Sequence, residues 1–132
     1  MQLAKPELKA ILTCDTIIAD KATDKYSLIG IFDRIYIARF PAAHFPSCLY
    51  VAFTEASGDY KMRLEFYDLT EGKVIGSASL PNPIHCPDRF RIHQVVFRLP
   101  PVPLPHEGSY EMRVYANDQI LGQKTIQAIQ RG

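Results

Sequence analysis

Apolar and polar residues alternate one for one through most of this chain, and that period confines it to β-strands. From Tyr60 to Asp68, Met62, Leu64 and Phe66 fall on one side, and Lys61, Arg63, Glu65 and Tyr67 on the other. Successive side chains of a strand point to opposite faces, so such a segment buries one face and wets the other. Gly108 to Ala116 repeats the pattern: Tyr110, Met112 and Val114 on one face, Glu111, Arg113 and Tyr115 on the other. No stretch sustains an apolar 3.6 period, so no helix is expected.

Turn residues cut the alternating segments at short intervals. Ser57-Gly58-Asp59 separates a strand from about Cys48 to Glu55 from the one at Tyr60, and Glu71-Gly72 leads into Lys73 to Ser79. Asn117-Asp118 supplies the positive φ angles of a tight hairpin between Gly108–Ala116 and Gln119–Ile129. Hairpins in succession require antiparallel pairing.

Two longer strands precede these, from about Lys9 to Ala19 and from Tyr26 to Arg39. The second carries Leu28, Ile29, Ile31, Phe32, Ile35 and Ile37 on both parities, so it lies centrally or bends and changes sheets, with Gly30 the natural place for a bend. In Arg89–Leu99 the apolar parity switches between Phe90, Ile92 and Val95, Phe97, Leu99, which predicts a bulge near His93-Gln94. Most of the 10 prolines lie in Pro81–Pro87 and Pro100–Pro105. Proline cannot donate to a ladder, so these are crossings or edges.

Seven to nine antiparallel strands with regular turns predict one all-β, immunoglobulin-like sandwich over residues 1–132. Gly108-Ser109-Tyr110 after the second proline run favours that sandwich over a barrel, because a tyrosine there can return its hydroxyl to the crossing backbone. A chain of 132 residues buries enough surface to need no disulfide or metal.

With 15 Lys+Arg against 14 Asp+Glu, the chain lacks the basic excess of a nucleic-acid binder. No run is long and apolar enough for a secretory leader or a membrane span. Three widely spaced cysteines, Cys14, Cys48 and Cys86, make no disulfide framework, which points to a reducing, cytoplasmic setting.

Asp15, the run Leu28-Ile29-Gly30-Ile31-Phe32-Asp33, then Phe40-Pro41 and His44, with a β-rich half containing Gly108-x-Tyr110, resemble a family of uncharacterised bacterial proteins catalogued only as a domain of unknown function. The resemblance spans nearly the whole chain. It implies a bacterial source and brings no activity and no catalytic residues. Physically, Leu28–Asp33 reads as a buried strand with a glycine where another group comes close.

Few constellations suggest chemistry. His85 and Cys86, near Asp88, would need a turn to meet as base and nucleophile, since neighbours on a strand diverge. His44, Cys48, His85 and Cys86 could converge on a metal only if loops gathered them, and no CxxC or HxH pair supports it. No catalytic set, metal site or cofactor is therefore expected.

Arg89, Arg91 and His93 share a parity and could form a cationic stripe, or a solvated edge that discourages strand addition. Tyr67 and Tyr115 lie on the wet parity as candidate interface anchors, or as cross-strand packing. The expected function is a non-catalytic interaction or assembly module. It would use a face or edge, with the final hairpin Gly108–Ile129 favoured, to bind a protein partner or a second copy. The alternatives are a small-ligand or carbohydrate-binding sandwich, or a small metal- or thiol-dependent enzyme.

Overall fold

The computed structural model describes residues 5–132. The order is β1 (Glu7–Asp20), β2 (Lys25–Ile31), β3 (Arg34–Ile37), β4 (Ala42–His44), β5 (Ser47–Thr54), β6 (Gly58–Tyr60) and β7 (Met62–Asp68). The second half holds β8 (Lys73–Ser79), β9 (Ile84–Cys86), β10 (His93–Leu99), β11 (Val102–Leu104), β12 (Gly108–Ala116) and β13 (Gln119–Gln130). A four-stranded sheet in the order β10-β5-β1-β2 faces a five-stranded sheet in the order β3-β13-β12-β7-β8. The nine strands of these sheets (4 + 5) make an immunoglobulin-like sandwich. The two-stranded ribbons β11-β4 and β6-β9 complete it.

Alternation builds the core as expected. Leu49, Val51 and Phe53 of β5 with Val95, Phe97 and Leu99 of β10 turn inward from one sheet. Leu64 and Phe66 of β7 with Tyr110, Met112 and Val114 of β12 meet them from the other. Each such side chain, withdrawn from water, contributes about 1.5–3 kcal/mol before conformational entropy is subtracted. The proline run folds back on its own sandwich: Val102 and Leu104 are buried and β11 pairs with β4.

Two expectations change. β3 runs parallel to β13, so the sandwich is not wholly antiparallel. The register of β10 on β5 is unbroken from His93↔Phe53 to Leu99↔Ser47, so no bulge lies near His93-Gln94. The strand begins at His93. Before it, Asp88 closes a turn, accepting from the Phe90 amide at 3.0 Å through its side chain and from the Arg91 amide at 3.1 Å through its carbonyl. Local side chain–backbone bonds compete with the ladder here, leaving Phe90 and Ile92 in solvent.

The segment expected as one strand over Tyr26–Arg39 bends and changes sheets. The crossing falls at Phe32-Asp33, between β2 in one sheet and β3 in the other. β1 itself serves two layers. Glu7 to Cys14 pairs with β5, whereas Cys14 to Asp20 pairs with β2. That second half and β2 form a hairpin arm turned across the outer face of β5 and β10. Ile17, Tyr26 and Leu28 pack there on Cys48, Tyr50 and Val96, making a second small core around Cys14. Tyr26 meets Tyr50 edge-on, with ring centroids 6.2 Å apart, and Arg98 donates to the Ile17 carbonyl at 3.1 Å.

Gly30 permits the turn. Its φ is +72°, and a Cβ there would lie 2.3 Å from Asp15 Oδ2. Only glycine combines that conformation with that approach.

The tyrosine corner is present. Tyr110 donates its hydroxyl to the His106 carbonyl at 2.6 Å and accepts from the His106 amide at 3.2 Å. Behind it, His106 Nε2 lies 2.6 Å from the buried Asp68 carboxylate, and its Nδ1 lies 2.8 Å from the Glu107 carbonyl. Both ring nitrogens thus face oxygen acceptors, and the Glu107 bond, then the Asp68 bond, raise the His106 pKa above its ordinary 6.5. Burial opposes the Asp68 charge, but the Glu71 and Thr70 amides and His106 outweigh it and hold that carboxyl below its ordinary 3.8.

The signs of the two shifts set a pH window. The raised histidine contributes fully below 6.5 and is lost as pH rises through its folded value. The lowered carboxylate contributes fully above 3.8 and is lost as pH falls through its folded value. Thermal melts should therefore show highest stability between about pH 4 and 6.5, with an alkaline decline that Asp68→Asn flattens. An unchanged decline in Asp68→Asn would contradict the pairing.

Candidate functional site

The outer face of the five-stranded sheet is a lattice of charges and rings that satisfies itself. Register sets Arg63 beside Tyr115, Glu65 beside Arg113 and Tyr67 beside Glu111. The Arg63 guanidinium lies over the Tyr115 ring at 4.0 Å, and that of Arg113 over Tyr67 at 3.7 Å. Arg63 also pairs with Asp118 at 3.1 Å, and Arg113 with the buried Glu111 at 2.7 Å. A hydrogen bond to Glu65 raises the Tyr115 pKa, with burial adding to it. Tyr67 and Tyr115 are half-buried as a result. Both lie on the outward parity, as expected, but under guanidinium cover that leaves neither ring open.

Arg89, Arg91 and His93 do not form a strand-borne stripe, because only His93 lies in a strand. Arg89 is bound to Glu55, Nη2 to Oε2, at 2.9 Å. His93 is half-buried against Phe53, with centroids 5.8 Å apart, and its buried Nε2 lacks a hydrogen-bond partner among the described residues. Arg91 and His93 do share a cleft of about 430 Å³ beneath the tip of the arm, with Asp20, Lys21, Asp24 and Tyr26 opposite them. Asp20 is turned to its own hairpin: the Ala22 amide, first, and Thr23 lower its pKa. The cleft therefore carries both signs of charge.

The remaining candidates stay apart. His85 pairs with Asp59 at 2.6 Å on the exposed side of β9, while Cys86 points into the core. Burial, then the Asp59 charge, push the Cys86 thiol up, away from nucleophilic character. His44 stacks edge-on against Phe32 at 5.4 Å, and burial lowers its pKa. Among the described residues, no group of three or more His, Cys, Asp or Glu gathers to hold a metal ion.

What stands open is an edge. β2 pairs only with β1, and its register runs without a shift from Asp20↔Lys25 to Cys14↔Ile31. The arm's inner face carries Tyr26 and Leu28; its outer face carries Lys25, Ser27, Ile29 and Ile31. Ile18 stands opposite Ser27 on β1. Ile18, Ile29 and Ile31 are 52%, 48% and 58% exposed, values that leave half of each side chain in water on one small arm. Of the other edges, β3 has four residues and β8 meets a register shift at Phe66/Tyr67, whereas β10 also pairs on one side only and without a shift, but has its outward Val96 covered by the arm. Both parities of this segment are visible in the sequence. Which one is covered is not, because the cover comes from the outer face of β5 and β10, distant in sequence from the arm.

The family described as "Family of unknown function (DUF6941)" matches residues 9–129. No curated protein matches. A crystal structure of an immunoglobulin-like protein from Pseudomonas aeruginosa is similar at 10% identity and a TM-score of 0.43, over 95% of this chain and 97% of that one.

Cys14, Cys48 and Cys86 are all buried free thiols. Native protein at mild alkaline pH should resist a thiol reagent over hours, and unfolding should release three reactive groups. Rapid labelling of Cys86 in the folded chain would reopen it as a nucleophile.

Proposed function

We propose that this chain, which belongs to the DUF6941 family of unknown function, is a non-catalytic interaction module that receives another strand on the free edge of β2. The carrying observation is that β2 is bonded on one side only and flanked by the exposed Ile18, Ile29 and Ile31. An unpaired edge presents a row of amides and carbonyls that an extended chain can satisfy, and pockets or apolar contacts on alternate residues add selectivity. The second core supports the reading. It holds the arm against β5 and β10, so a strand that docks does not have to order the edge first.

The Tyr67 and Tyr115 face is a weaker surface for the same role, because its rings are already stacked under Arg113 and Arg63. Catalysis has little support from the histidines: His85 is tied to Asp59, and Cys86 lies on the opposite face of the same strand. Three buried free thiols fit a reducing cytoplasmic setting.

A second reading has one observation in its favour. The cleft beneath the arm tip sets Lys21 and Arg91 against Asp20 and Asp24 beside Tyr26, a mixture suited to a small neutral polar ligand such as a sugar. Lys21→Ala with Arg91→Ala would abolish that binding and leave strand addition untouched.

The test is capture from native lysate with tagged wild-type chain and with Ile29→Asp. Ile29 is solvent-facing, so the variant should keep its far-ultraviolet dichroism and melting temperature while losing its bound chains at least about tenfold, a loss of about 1.4 kcal/mol. Equal capture by a folded Ile29→Asp protein would remove β2 as the surface.

A further inference from the structure

We infer that Cys14 and Cys48 form an oxidation site: a cross-strand thiol pair, sealed under the arm, that joins as a disulfide when the arm lifts and a low-molecular-weight disulfide such as oxidised glutathione reaches it. The two residues stand directly opposite each other on β1 and β5, and both are free thiols. Opposed residues of an antiparallel pair share a face, with Cβ atoms about 4.5–5.5 Å apart. A disulfide needs about 3.5–4.5 Å, so closure takes a shift of about an ångström. Cys14↔Cys48 is the last pair of that ladder, so no further pair holds the strands against the shift.

The arm is the seal. Ile17, Tyr26 and Leu28 pack over the two sulfurs, with Tyr50 and Val96 beside them. Cys14 is 0% exposed and Cys48 5%, so with the arm down no oxidant reaches either. Cys48 Sγ donates to the Asp15 carbonyl at 3.9 Å. Burial, then the Cys48 and Asp15 charges, raise the Cys14 pKa, and Arg98 opposes them. The closed arm therefore holds Cys14 as an unreactive thiol. Arg98 stands opposite Cys48 on β10 and donates to the Ile17 carbonyl of the arm. Lifting the arm breaks that bond and removes the apolar cover. It leaves a guanidinium free beside two hydrated thiols, a setting that favours thiolate. Cys86 belongs to the main core, apart from the pair, so the same motion leaves it covered.

The exchange balances in two steps. One thiol of the pair loses its proton and attacks oxidised glutathione, breaking its S–S bond and releasing one glutathione. The second thiolate attacks the protein sulfur of the mixed disulfide and releases the other. The chain gives up two protons and two electrons, and oxidised glutathione takes both. Excess glutathione runs the exchange backwards and restores the thiols, so in a reducing setting the pair rests open.

The test is overnight incubation of native chain with oxidised glutathione, then alkylation under denaturing conditions and peptide mapping by mass spectrometry. Wild-type chain should accumulate one intramolecular Cys14–Cys48 link with Cys86 alkylated, and Cys48→Ser should give none. Leu28→Ala thins the cover and should link about tenfold faster. Cys86 that stays closed to alkylation before denaturation shows that the sandwich of the variant is intact. Ile17→Val, a milder loss of cover, takes its place if Leu28→Ala exposes Cys86. A wild-type chain without the Cys14–Cys48 link, or a link through Cys86, overturns the pair. A link that forms no faster in the folded variant overturns the arm as its seal.

Discussion

The close approach of Asp15 to Gly30 decides where the arm goes. Up to Cys14, β1 is bonded to β5. Beyond it, the same strand must leave that plane for its second half to lie over the outer face of its own sheet. Gly30, left-handed and without a side chain, lets β2 follow through the space the Asp15 carboxylate fills. Once the arm is turned, Ile17, Tyr26 and Leu28 have a surface to cover in Cys48, Tyr50 and Val96. The same turn leaves Ile18, Ile29 and Ile31 uncovered. Stability of the arm and exposure of its edge are thus two results of one local geometry.

Much of the sandwich is legible in the residues because it rests on short-range rules. The inward parity of β7 and β12, the Asn117-Asp118 turn with both residues at positive φ, and the Tyr110 corner depend on two or three neighbours each. The failures share a different origin. Phe90 and Ile92 alternate as a strand would, but Asp88 draws the adjoining amides into a turn before a ladder can claim them. Tyr67 and Tyr115 fall on the wet parity, yet what covers them is decided by register with Arg113 and Arg63 one strand away. For the arm, alternation shows that Tyr26 and Leu28 share a face without showing that the face lies on a third layer.

Surface properties divide the molecule by how fully each region satisfies itself. On the outer face of the five-stranded sheet, the Tyr115 and Tyr67 rings lie under Arg63 and Arg113, whose guanidiniums reach Asp118 and Glu111. The Asp68–His106–Tyr110 group is closed in the same sense and belongs to the corner that fixes the start of β12. The edge of β2 has backbone groups without ladder partners and apolar side chains in water. Proteins usually guard such an edge with proline, a bulge or brevity. Its openness is the physical basis for reading the chain as one that pairs.

The most direct measurement is amide hydrogen exchange read by mass spectrometry on the chain alone and in complex with the chains it captures from native lysate. Added protection should be confined to residues 25–31 in the complex, with the edge strand at 73–79 unchanged. Added protection in 73–79 or in 63–67, with none in 25–31, would contradict strand addition on β2.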